Sequence, residues 1–216
     1  MMPVVQALLL ALALGFSTAN RNPKCDAKQI SRRLGYDPDA WTLINREHPK
    51  YHLMFYSSGN LSATYKCLCT TTSWDKSGSR WRKVVKFHYS PNETIFHGTD
   101  TVLTVKTDQY YVYDNAFNAT YFVPALKEIE FKEMFSVSEL IFAYERKCVI
   151  MRSDLLGYQV WVGTHYLKKY RKIPYVCTFM YEACAGTSKY WLYDWDHCLD
   201  TTHQVRENQE PLLANI

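Results

Sequence analysis

The chain has 216 residues, a formal net charge of +4 with the two signs interspersed, and 47% apolar residues, with aromatic residues at 15% of the total. That length suffices for one domain with a full hydrophobic core, and so modest a charge argues against a nucleic-acid binder. No Gly/Ser/Pro-rich linker and no internal repeat divides the sequence.

Residues 1–19 carry no charged side chain; Val4 to Phe16 form an apolar core, and Ser17-Thr18-Ala19 supplies the small residues of a cleavage site. The segment reads as a signal peptide, although no Lys or Arg precedes its core, and its apolar run is too short for a membrane anchor. No later stretch is apolar enough to cross a bilayer, so a secreted, extracellular protein without a membrane partner is expected.

A turn or two of helix is expected over Asp26 to Leu34. A second helix starts at Asp37-Pro38-Asp39-Ala40-Trp41, where acids meet the positive end of the helix dipole. Strand-like runs follow at Tyr51–Ser57, Ala63–Thr71, Trp81–Ser90, Thr101–Thr107, Tyr110–Tyr113, Glu128–Phe135, Glu139–Arg152 and Tyr158–Tyr166. Aromatic and β-branched residues favour strands, and Ser58-Gly59-Asn60 and Lys76-Ser77-Gly78-Ser79 mark turns between them. The basic run Lys168 to Lys172 reads as a solvated loop before a helix. That helix opens at Pro174 and is stopped by Gly186, its inward face formed by Phe179 with Tyr175, or by Met180 with Ala183 and Cys184. About eight strands at this spacing indicate a β-sandwich or an up-and-down barrel.

Seven cysteines, at 25, 67, 69, 148, 177, 184 and 198, suit an oxidising compartment, and their odd number leaves one thiol over. Strand alternation places Cys67 and Cys69 on one face. Three sequons, at Asn60, Asn92 and Asn118, lie near turn-forming residues and are expected to carry N-glycans. Enzyme signatures are scarce: no nucleophile elbow, no His-Glu-x-x-His, no phosphate loop, and scattered histidines that offer no metal site. No enzyme activity, cofactor or metal is expected. Alternation along two runs puts Leu140, Phe142 and Tyr144, and Gln159 with Trp161, on single faces. From composition alone these aromatics either fill a small barrel or line a cavity.

Asp39-Ala40-Trp41, Tyr51 to Tyr56, the Cys67 strand, Ala143-Tyr144 leading to Cys148, Gly157-Tyr158-Gln159-Val160-Trp161, Ile173-Pro174 leading to Cys177, and Cys198-Leu199 together resemble the secreted lipocalins of tick saliva, the histamine-binding protein family. The resemblance spans nearly the whole mature chain. It implies one lipocalin domain over 20–200, an eight-stranded antiparallel barrel with an N-terminal helix and a C-terminal α-helix packed outside; the segment 201–216 lacks periodicity and is expected to be a flexible tail. The resemblance also implies the bridges Cys25–Cys184, Cys67–Cys198 and Cys148–Cys177, with Cys69 left free.

Members sequester small host mediators in the barrel, which points here to Trp41, Tyr56, Phe142, Tyr144, Gln159 and Trp161 as ligand contacts. A monomer is expected, with an amine or lipid mediator as ligand and host immune proteins as further partners. A protonated amine needs a charged partner once it leaves water. Yet Gln159, Val149 and Gly59 stand where amine-binding members carry acids. Asp100, Glu128, Glu130 and Glu145 are the acids that compensate if any do. Three readings stay open: an amine scavenger, a carrier of an apolar lipid such as an eicosanoid, fatty acid or sterol, and an immune modulator acting through its outer surface.

Overall fold

The structure, a computed structural model, describes residues 25–45, 50–59, 61, 65–74, 82–90, 96–124 and 131–198. The expected signal peptide, the C-terminal tail and the sequons at Asn60 and Asn92 lie outside these residues. Two helices, α1 (Ala27–Leu34) and α2 (Ala40–Ile44), precede eight strands: β1 (Tyr51–Tyr56), β2 (Cys69–Trp74), β3 (Arg82–Tyr89), β4 (Phe96–Val105), β5 (Ala116–Pro124), β6 (Phe131–Tyr144), β7 (Cys148–Ser153) and β8 (Gly157–Gly163). Helices α3 (Thr164–Tyr170) and α4 (Tyr175–Ala185) and the short strand β9 (Tyr190–Trp191) complete the order.

The strands lie in the order β2-β3-β4-β5-β6-β7-β8-β1-β9, and β1 also pairs with β2, so the sheet closes into an antiparallel eight-stranded barrel. The closing seam is short. Only Tyr51↔Thr70 and His52↔Cys69 are in register, extended by a hydrogen bond from Leu53 N to Leu68 O at 3.0 Å. Further along β1, Phe55 and Tyr56 pair instead with β9. All six β1 residues are buried because the strand is covered on both faces, which is why it reads as a nearly unbroken apolar run.

Two apolar layers flank the wall. Inside are Tyr51, Leu53, Tyr56, Leu140, Val149 and Trp161. Outside, Met54, Phe55, Ile150, Val160 and Val162 pack under Leu167 of α3 and Cys177 and Tyr181 of α4. Disulfides tie this outer layer down: Cys148–Cys177 joins β7 to α4, Cys25–Cys184 ties the N-terminal segment to α4, and Cys67–Cys198 fastens the C-terminal segment beside the seam. Cys69 is free and buried, its thiol pushed up to about 11 by loss of solvent. This is the pairing that the resemblance implies.

Several sequence expectations are corrected. Cys67 does not share a strand face with Cys69; it precedes β2 in a left-handed conformation, φ 60°. Tyr110–Tyr113 is a turn, built by Asp108, whose Oδ1 accepts from Tyr110 N at 2.8 Å. The neighbouring strand is β5, which Asn118 and Ala119 disguise, so Asn118 sits in mid-strand. Glu139–Arg152 is a hairpin, turning at Glu145 with φ 50°. Tyr158–Tyr166 ends as strand at Gly163 and continues as α3, which carries Lys168 and Lys169. On α4 the inward residues are Cys177, Tyr181 and Cys184, whereas Tyr175 and Phe179 are 81% and 56% exposed and stack on each other.

His52 points into the outer layer with its ring edge-on to Tyr193, and neither ring nitrogen has a hydrogen-bond partner. Loss of solvent, aided by Lys50 and Lys168, lowers its pKa to about 3. The unfolded chain takes up a proton near pH 6.5, so the neutral ring's contribution is complete above that pH and is lost as pH falls toward 3. The shift corresponds to about 5 kcal/mol. Replacing His52 by Leu removes two unpaired buried nitrogens. His52→Leu is expected to raise the urea midpoint, by an amount that widens between pH 6.5 and 4. A gap that does not change with pH would show that His52 does not control the acid limb.

Candidate ligand-binding site

Strand alternation, interrupted by bulges on β1 and β6, decides which side chains face the barrel interior. Val149 and Met151 of β7 and Trp161 of β8 point inward, and Ile150, Val160 and Val162 between them point outward. On β6 the register slips between Leu140 and Phe142: Leu140 pairs with inward Met151, but Phe142 pairs with outward Ile150. The extra residue, Ile141, reverses the alternation beyond it. Phe142 therefore lies on the outer face against Tyr36, with ring centroids 6.0 Å apart. Tyr144 is exposed outside the barrel beneath the Lys147 ammonium.

The interior holds a cavity of about 170 Å³. Leu43 and Ile44 of α2 reach into it from one end. Asp39 sets that helix by capping, its Oδ1 accepting from Thr42 N at 3.3 Å. The walls are Val85, Val102, Phe117, Ala119, Val149, Met151 and Trp161, with hydroxyls from Tyr51, Thr70, Thr72 and Ser138. Tyr51 and Thr70 face each other across the closing seam. Burial raises the Tyr51 phenol above its ordinary value, so it stays neutral. None of these lining side chains is charged.

Of the six contact residues expected from sequence, Trp161 lines the cavity. Trp41 is on α2, whose Leu43 and Ile44 line the cavity instead. Tyr56 is buried in the interior but held at one end: its hydroxyl accepts from Leu61 N at 3.2 Å and its ring stacks on Tyr190. Gln159 is also interior and buried. Its Oε1 accepts from Trp161 Nε1 at 3.1 Å, and its Nε2 donates to Ser153 Oγ at 2.9 Å. The amide is thus occupied in fixing the Trp161 indole. A side chain at Gly59, φ 90°, would run into the Leu155 carbonyl, so this loop could not carry an acid there without moving.

Among the four candidate acids, Glu128 and Glu130 lie outside the described residues. Glu145 is at the outer turn, paired with Lys147 at 2.8 Å. Asp100 is different. It pairs in register with Val85 and lies two residues before Val102, both cavity residues, so its side chain shares the inward face. It is half-buried, and burial holds its carboxyl above the usual range, opposed by a hydrogen bond from Thr101 N at 2.7 Å. Sequence reasoning named Asp100 but had no register with which to place it. The lining hydroxyls escaped notice because Thr and Ser carry no motif.

The arrangement offers a partly open apolar slot with neutral hydroxyl-bearing residues in its walls and one carboxylate on its inward ladder. Among solved structures, the chain is similar to one described as the crystal structure of the AM182 serotonin complex, with 17% identity and a TM-score of 0.51, over 79% of this chain and 95% of that chain. At that identity the likeness is one of fold. No curated protein matches the chain. Residues 31–200, from α1 past the Cys198 bridge, match the family described as tick histamine binding protein. The chain belongs to the tick histamine binding protein family.

Proposed function

We propose that this chain is a secreted, non-catalytic protein that sequesters one small aromatic amine in its barrel. The observation that carries the reading is the register of Asp100, which shares a sheet face with Val85 and Val102, two residues of an apolar cavity walled also by Trp161 and Phe117. An ammonium taken from water requires a charged partner, and aromatic faces add cation–π attraction. A cavity of about 170 Å³ is small beside the roughly 300–1,000 Å³ of sites for drug-sized ligands. That size favours a one- or two-ring amine over a sterol. The family's name and the serotonin of the AM182 complex support the same class. Export is supported by the apolar N-terminal segment, three disulfides and three sequons. On this reading the ligand is a host mediator encountered in saliva.

The uncharged lining favours a second reading, a carrier of an apolar lipid mediator. Calorimetric titration with histamine, serotonin and a leukotriene separates the two. A saturable one-to-one response to an amine is expected; binding of the lipid alone would overturn the amine reading.

Asp100→Asn is expected to weaken serotonin binding about 10- to 100-fold, equivalent to ~1.4–2.8 kcal/mol, without lowering thermal stability. Since binding needs the ionised carboxylate and burial raises its pKa, affinity should fall as pH drops through a window above the ordinary carboxylate range near about 4. That slope should be absent in the Asn variant. Equal affinities would remove Asp100 from the site.

Gln159→Leu leaves the Trp161 N–H and the Ser153 hydroxyl short of a partner. It is expected to cost about 1–3 kcal/mol in urea denaturation and to weaken amine binding as well. Unchanged binding would show that the Trp161 orientation does not matter to the ligand.

A further inference from the structure

Asn118 is the sequon asparagine that falls among the described residues, and its position is unusual. Phe117 and Ala119 on either side of it line the cavity, so Asn118 projects from the outer face of β5. It stands in register with Leu103 on β4 and Val137 on β6. Both aliphatic neighbours are open to solvent, Leu103 at 40% and Val137 at 47%. Asparagine is disfavoured in strands and is usually kept there by a hydrogen bond. Here its Oδ1 is shielded from water and has no hydrogen-bond partner. Among the described residues no donor reaches this amide oxygen, and the register places Asn118 between two half-exposed apolar side chains. A bulky, solubilising attachment on the amide nitrogen would cover these side chains.

We propose that Asn118 carries an N-linked glycan whose first sugars lie over Leu103 and Val137 and keep the outer face of β4–β6 from self-association. The proposal rests on export through a secretory compartment, as inferred above. The donor is a lipid-linked diphosphate oligosaccharide. The Asn118 amide nitrogen bonds to the anomeric carbon of the first N-acetylglucosamine, and that carbon's bond to the diphosphate breaks. The diphosphate leaves with the electron pair, and the amide proton passes to a base of the transferase. Because Asn118 is in mid-strand, the transfer precedes closure of the barrel.

The test uses the full chain secreted from cultured insect cells, with glycopeptide mapping of all three sequons. The folded protein is then treated with an endoglycosidase and followed by light scattering and by binding of an apolar dye. The Asn118 peptide is expected to be occupied. Removal of its glycan should shift the monomer toward dimers or larger species and raise dye fluorescence. Thr120→Ala, which breaks the sequon and keeps Asn118, should reproduce that shift, Thr120→Ser should not, and Leu103→Ser with Val137→Ser should restore the monomer in the Thr120→Ala chain. An unmodified Asn118 in secreted protein that carries a glycan at Asn60 or Asn92 would overturn the proposal. So would an occupied Asn118 whose removal leaves mass and fluorescence unchanged. Absence of the chain from the medium would instead overturn the export reading, and this proposal with it.

Discussion

The closure of the sheet between β1 and β2 is the constraint on which the rest of this protein depends. Two residue pairs and one further backbone hydrogen bond form the seam, against full-length pairing between β1 and β8 on the other edge. So short a ladder is a weak closure by itself. Cys67–Cys198 fastens the chain at this place, spanning 131 residues of sequence; in chain-entropy terms a loop of that size contributes roughly 4–5 kcal/mol. β9 covers the part of β1 that β2 does not reach. The seam also bounds the cavity, since Tyr51 and Thr70 meet across it and both line the interior. An open seam would leave the cavity without one wall.

The outer layer serves the same closure from behind. α4 is bridged to β7 by one disulfide and to the N-terminal segment by another, so Tyr181 and Cys177 press on Ile150, Val160 and Val162. These outward residues alternate with Val149, Met151 and Trp161. Fixing one face of β7 and β8 therefore fixes the other. Trp161 receives a second restraint from Gln159 and Ser153. A preorganised wall loses less side-chain freedom when a ligand arrives. One polar misfit in this layer is His52, whose buried imidazole stays neutral and ties the layer that backs the seam to pH.

Much of the fold was legible in the sequence, and the reasons for the gaps are local. Runs rich in aromatic and β-branched residues marked β1, β3 and β8, and Pro174 and Gly186 bounded α4. The disulfide wiring came from family resemblance, because spacing alone allows many pairings. β5 was missed because Asn118 and Ala119 interrupt its aromatic and β-branched residues with poor strand formers. Tyr110–Tyr113 was misread as a strand because tyrosine favours strands even where Asp108 builds a turn. The site suffered most from a single inserted residue. Ile141 sends Phe142 and Tyr144 to the outside, and no periodicity of two reveals a bulge. Conversely, Asp100 gained its place only from the register with Val85.

The central claim is that the cavity recognises a cation and not merely an aromatic ring of suitable size. Calorimetric comparison of tryptamine with its alcohol analogue, indole-3-ethanol, tests this most directly, since the two share ring and chain and differ in the charged group. Tryptamine is expected to bind at least about 10-fold more tightly, ~1.4 kcal/mol or more in favour of the ammonium. Equal affinities, or a preference for the alcohol, would contradict it.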